Sequence, residues 1–197
     1  MSSKQLSRLP ISCELKGDET AVSFLSRLAL INGCKRAEAL CVDLGLDRAG
    51  IVAGRAHALE HLGHVGSVDL NSMIDSAINT EKCERTYSIR GHKFPKHAVR
   101  RGLLSYCPEC VREDMQQPLP SAAWPPTANV YGRSVWQIGA YRVCHLHNVD
   151  MVVAPALPSP SYMHDFARNF INEIDDFETP EGSNNPNSAL SELVWQV

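Results

Sequence analysis

No stretch of this 197-residue chain approaches the ~20 consecutive apolar residues of a membrane-spanning helix, and residues 1–15 lack the apolar core of a secretory leader. A disulfide framework is missing as well. The seven cysteines, Cys13, Cys34, Cys41, Cys83, Cys107, Cys110 and Cys144, are odd in number and follow no such leader. These absences place the expected setting in a reducing cytoplasm. An excess of one charge is also lacking: the net charge of −3 says nothing by itself about nucleic acid. Its distribution is more informative. Between Lys82 and Tyr106 seven bases face one acid, Glu84, a net of +6, whereas from Asp165 onward seven acids face Arg168, a net of −6. Apolar residues make up 44% of the chain, enough for one medium core or two small ones.

What is present is a concentration of metal-ligand chemistry. Cys107-Pro108-Glu109-Cys110 is a Cys-x-x-Cys knuckle, and Cys144-His145-Leu146-His147 repeats its internal spacing. Two such pairs can close a tetrahedron around one Zn²⁺, with sulfur at about 2.3 Å and imidazole nitrogen at about 2.0 Å. Four protein ligands leave no position for water, so the metal is expected to be structural. His147 is the preferred fourth ligand because its spacing from Cys144 matches the first knuckle; His145 is its rival. A redox pair is the other use of Cys-x-x-Cys, but it ordinarily opens a helix after a strand in a thioredoxin-like βαβ unit, and no such unit is expected around Cys107. Between the pairs, Pro118, Pro120, Pro125 and Pro126 predict a loop and Gly132 a turn. Alternation over 134–138 and 140–143 predicts a β-hairpin feeding Cys144 into the site. The whole reads as a zinc-ribbon or treble-clef-like module.

Upstream the periodicity is helical. Helices are predicted from Thr20 to the stop at Gly33, over Lys35–Leu44 ending at Gly45, from Asp47 to Gly63, and after an N-cap at Ser67. Short glycine turns allow a helix-turn-helix, whose reader would follow Gly45; a plain helical bundle fits the same pattern. His57, His61 and His64 share a helical spacing without a cysteine or carboxylate at ligand spacing, so they read as a helix face. Cys34 and Cys41 read as core residues. Cys83, His92 and His97 form a weaker alternative ligand set. Arg90, Lys93, Lys96, Arg100 and Arg101, interleaved with Tyr87, Phe94 and Tyr106, are the candidate nucleic-acid-binding residues, since charge grips phosphate and rings stack on bases; a solvated loop is the plain alternative.

Pro155, Pro158 and Pro160 predict a stiff linker, followed by a short amphipathic helix over 163–177 and a flexible acidic tail. The expected fold class is α+β. Residues 1–19 form an extended leader, 20–100 a helix-turn-helix-like helical domain with its basic segment, 101–156 the zinc module, and 157–197 the linker, short helix and tail.

Several stretches resemble, in order, the TniQ (TnsD-like) transposon target-selection proteins. They are Ser26-Arg27-Leu28-Ala29 with Asn32-Gly33, Tyr106 to Asp114, Tyr131 to Gln137, Arg142 to His147, and His164-Asp165-Phe166-Ala167. The resemblance implies a non-catalytic adaptor with helix-turn-helix and zinc-binding portions. Such an adaptor recognises a target site, or docks on a DNA-bound targeting complex, and recruits the transposition machinery. Its partners would be an AAA+ ATPase regulator or a transposase, with DNA met directly or indirectly, no membrane, and a second copy of the chain allowed. The implied zinc ligands are Cys107, Cys110, Cys144 and His147. Two departures stand out: His145 where the family usually has proline, and Asn148 where it usually has glycine. Many members continue into a longer C-terminal half, so this chain is expected to be either a short member or a truncated copy. A free-standing zinc-containing transcriptional regulator would use the same basic window, binding DNA without a transposase partner. A zinc hydrolase using His145 or Glu109 would need an open metal position, which four ligands deny.

Overall fold

The computed structural model describes residues 8–80, 85–101, 103–153 and 165–169. The expectations for Cys83, for the proline-rich linker and for the acidic tail lie outside the described residues. Helix α1 (Ala21–Ile31) is the centre of the N-terminal half. Thr20 caps it by accepting from the Ser23 N–H, and ten of its eleven residues are buried, the state of a helix packed on every side. Around it lie α2 (Ala37–Leu44), α3 (Arg48–Val52), α4 (Ala56–Gly66) and α5 (Leu70–Asp75). Their apolar faces build one core from Phe24, Leu28, Ile51, Leu59, Leu62, Val65 and Met73.

Two helix boundaries differ from the sequence expectation, each for a physical reason. The single helix expected from Asp47 to Gly63 is broken at Gly54, whose φ is +71°. A β-carbon there would lie 2.9 Å from the Asn79 Cα, so the strand over Ile78–Thr80 crosses where a continuous helix would pass. Ser67 does not start a helix but ends α4 at φ 59°; Asp69 instead caps α5 by accepting from the Ser72 N–H at 3.0 Å.

The segment expected to be helical with a basic loop contains a three-stranded antiparallel sheet. Its strands, in order, are β1 (Ile78–Thr80), β2 (Thr86–Ile89) and β3 (His92–Pro95). Ile89 pairs with His92 across a two-residue turn in which Arg90 and Gly91 both take positive φ, 49° and 82°. Tyr87 and Phe94 face each other across the strands and pack on the second core.

That second core belongs to the C-terminal half. Strand β4 (Ser105–Tyr106) leads directly into α6 (Pro108–Gln116) and pairs with β5 (Val152–Val153). Val111, Val130, Trp136, Ile138 and Tyr141 fill the space between. The expected hairpin over 134–143 is absent. Ser134–Gln137 forms a short 3₁₀ turn, and the segment bonds across to residues 98–100: the Arg100 N–H donates to the Gln137 carbonyl and the Gly139 N–H to the Ala98 carbonyl at 2.7 Å. The alternating apolar residues are satisfied by burial and by single antiparallel bridges, Val99 with Ile138 and Val143 with Asp150, rather than by pairing with each other.

A buried polar weld joins the halves. Arg27 on α1 pairs with Glu19 at 2.7 Å, both nearly fully buried, and its Nε donates to the Ala128 carbonyl. Removing one partner of such a pair typically costs about 3–5 kcal/mol, because the other is left charged and unpaired. Gly132 exchanges backbone bonds with α1: its carbonyl accepts from the Thr20 N–H and its N–H donates to Ser23 Oγ. Asp165, just before α7 (Phe166–Asn169), accepts from Ser26 Oγ at 2.6 Å and from the Ala37 N–H at 3.0 Å. It thereby supplies the cap that the N-terminus of α2 otherwise lacks.

Candidate metal centre

Cys107 sits at the N-cap of α6, with Pro108 at the first helical position, where a missing N–H costs nothing. Its sulfur lies 3.5 Å from the Cys110 N–H, so one end of the site is a helix N-terminus that favours thiolate. The knuckle does lie at a junction from a strand, β4, into a helix, α6. It is not a thioredoxin-like unit, however, because β4 pairs antiparallel with β5. The second pair comes from a tight turn in which the Asn148 N–H donates to the Cys144 carbonyl at 2.8 Å and the Cys144 N–H to the Val149 carbonyl at 2.8 Å. Asn148 has φ 53°. Asparagine is among the residues that enter this left-handed region most readily after glycine, which accounts for its presence at a position usually held by glycine.

The four donors converge. His147 Nδ1 lies 3.5, 3.4 and 3.5 Å from the sulfurs of Cys107, Cys110 and Cys144, and the Cys110 and Cys144 sulfurs are 3.7 Å apart. Bonds of about 2.3 and about 2.0 Å at tetrahedral angles imply S···S edges of about 3.8 Å and S···N edges of about 3.5 Å. These four edges match those of a Cys₃His zinc site, and all four donors lie within 4.8 Å of one another. The three cysteines are at most 1% exposed, so water has little access. Left to themselves the thiols cannot ionise independently. Neighbouring Cys107, then Cys144, and burial push the Cys110 thiol far above its ordinary value, while contacts from Cys107 and Cys110 pull Cys144 well below. A divalent cation resolves that conflict by stabilising every thiolate at once.

His145 is directed elsewhere: its Nδ1 is 2.7 Å from the buried Tyr141 hydroxyl, which also accepts from the His145 N–H at 3.0 Å. His147 Nε2, on the side away from the sulfurs, is 3.0 Å from Glu113 Oε1 on α6. Burial lowers the His147 pKa, but the Glu113 carboxylate and Cys144 outweigh it and hold the ring above its ordinary value.

The TniQ family model matches residues 10–151. This chain belongs to the TniQ family. The family comprises non-catalytic adaptors with a target-selection role in DNA transposition. No curated protein gives a significant match. The stretches that carried the resemblance turn out to be the metal centre and the weld. In this TniQ chain Arg133 donates to both oxygens of Asp114 at 2.9 and 3.0 Å and sits 4.1 Å from the Tyr131 ring and 4.7 Å from that of Trp136. It ties α6 to the segment that meets α1.

The remaining candidates separate. Arg90, Lys93 and Lys96 are exposed on the β2–β3 hairpin and the turn that follows it, with Lys96 5.7 Å from the Tyr87 ring. Arg100 donates to the Gly139 carbonyl at 2.8 Å; Arg101 reaches the Val52 carbonyl and lies 5.0 Å from the Tyr87 ring, so both arginines hold protein to protein. His57 meets Asp47 at 3.4 Å on an exposed face, and Glu109 pairs with Arg112. Among the described residues the Cys107, Cys110, Cys144 and His147 set is the one Cys/His/carboxylate group compact enough for a metal. No helix among the described residues is long and apolar enough to cross a membrane. Glu113, Asp114 and Arg133 were missed as site residues in the sequence. One signal was available for Glu113: it lies three residues after Cys110 and so on the same helix face.

Because folding and metal binding are coupled in such sites, Cys107→Ser is expected to melt the second core. Near-UV circular dichroism, which reports the packing of Trp136 and Tyr141, should lose its signal. An unchanged near-UV spectrum and an unchanged cooperative melt would contradict a structural role.

Proposed function

We propose that the chain is a zinc-stabilised, non-catalytic adaptor that docks at a transposition target site, or on a complex already bound there, and recruits an AAA+ ATPase regulator or the transposase. The observation that carries this reading is the TniQ match across 10–151 together with a donor set whose edges fit a closed tetrahedron. A closed site offers neither a metal-bound water nor a place for substrate, which supports an adaptor over a hydrolase. A free-standing regulator is less well supported. Its reader would be α3, which has five residues and cannot present the several polar side chains that sequence readout uses.

Contact with nucleic acid, on this reading, falls to the β2–β3 hairpin through Arg90, Lys93 and Lys96, while Arg100 and Arg101 support the fold. Each neutralised phosphate adds about 0.9 to the slope of log K against log salt. Replacing the three hairpin cations by alanine is therefore expected to reduce that slope by roughly 2–3 for a duplex of arbitrary sequence. Fluorescence anisotropy at several salt concentrations measures it, and an identical slope would remove the hairpin from the interface. The adaptor role itself is read in a reconstituted insertion reaction containing the element's transposase and ATPase. Omission of this chain should abolish targeted insertion; targeted insertion that continues without it would overturn the proposal.

A further inference from the structure

Two histidines stand within four residues of the Cys144 turn, and each has one ring nitrogen engaged. His145 Nδ1 is held at 2.7 Å by the Tyr141 hydroxyl. His147 Nε2 is held at 3.0 Å by Glu113 Oε1, and its Nδ1 faces three sulfurs at 3.4–3.5 Å. A neutral imidazole carries its proton on one nitrogen and its lone pair on the other, and a hydrogen bond to either nitrogen decides which. A carboxylate can only accept, so its partner nitrogen must be the protonated one.

We propose that Glu113 is the positioning residue of the metal centre: by accepting from His147 Nε2–H it fixes the tautomer that presents Nδ1 to the metal, and so makes His147 the fourth ligand. Helix α6 then supplies both a ligand, Cys110, and one turn later the group that orients the ligand coming from the other knuckle. The inference rests on the metal reading but concerns a residue outside the donor set.

Glu113 is 61% exposed, so its replacement removes the contact without opening the core. Loss of an outer partner to a metal-bound histidine typically weakens affinity 10–100-fold, and exposure places this case near the lower end. In the full chain, zinc affinity measured against a chromophoric chelator at fixed pH and salt is expected to fall about tenfold for Glu113→Ala. Glu113→Gln should fall between, because its amide oxygen still accepts. In the zinc-loaded wild type, ¹⁵N-resolved imidazole NMR should find His147 protonated at Nε2 and metal-bound at Nδ1. Equal affinity of wild type and Glu113→Ala, or ligation through Nε2, would overturn the proposal while leaving the zinc site intact. A wild-type chain that binds no zinc would overturn the metal reading and this inference together.

Discussion

Three buried sulfurs and one imidazole nitrogen, all within 4.8 Å of one another, are the constraint on which the C-terminal half depends. Without a cation the cluster is a conflict of thiols in a dry site; with one it is the strongest set of bonds in the module. Strand β4 and helix α6 converge on it from one side and the Cys144 turn from the other. The small core of Trp136, Tyr141 and Val111 closes over it. So little regular structure among its described residues, two two-residue strands, a nine-residue helix, two 3₁₀ turns and the four-residue α7, would not support this half alone.

The N-terminal half has its own apolar core, which also takes in Ala128 and Ala167, and buried polar contacts and backbone bonds add to that shared surface. Across the joint Arg27 donates to the Ala128 carbonyl, Arg133 meets Asp18 at 3.6 Å, and Asp165 accepts from Ser26, while Glu19 and Asp114 hold the two arginines in place. Buried pairs of this kind contribute modest net stability but strongly disfavour any other arrangement of the halves, since a shift would leave charges desolvated and alone. Gly132 belongs to the same joint: a β-carbon there would stand 3.1 Å from the Phe166 ring while its backbone is bonded to α1.

How much of this was legible in the residues depended on whether the signal was local. The start of α1 and the stops of α1 and α2 were readable because Thr20, Gly33 and Gly45 act within one turn of chain, whereas the cap of α2 comes from Asp165, 128 residues away. The convergence of Cys107, Cys110, Cys144 and His147 was readable because spacing is itself a chemical constraint. Gly54 was harder: it breaks a good helical pattern because strand β1 crosses it, a contact 25 residues away in sequence. The 134–143 segment alternates like a strand, yet its partners are residues 98–100 and the core, which periodicity cannot reveal. The basic window disguised a hairpin, although Arg90-Gly91 flanked by alternating residues was a turn signal. Arg100 and Arg101 looked like phosphate contacts because charge in a sequence does not disclose a carbonyl waiting in the fold.

If a resident zinc ion organises the C-terminal half, plasma mass spectrometry of the purified, folded full chain will find one zinc per chain. A cooperatively folded chain with no bound metal would contradict it, and the second core would then have to stand on its apolar contacts and the Arg133 joint alone.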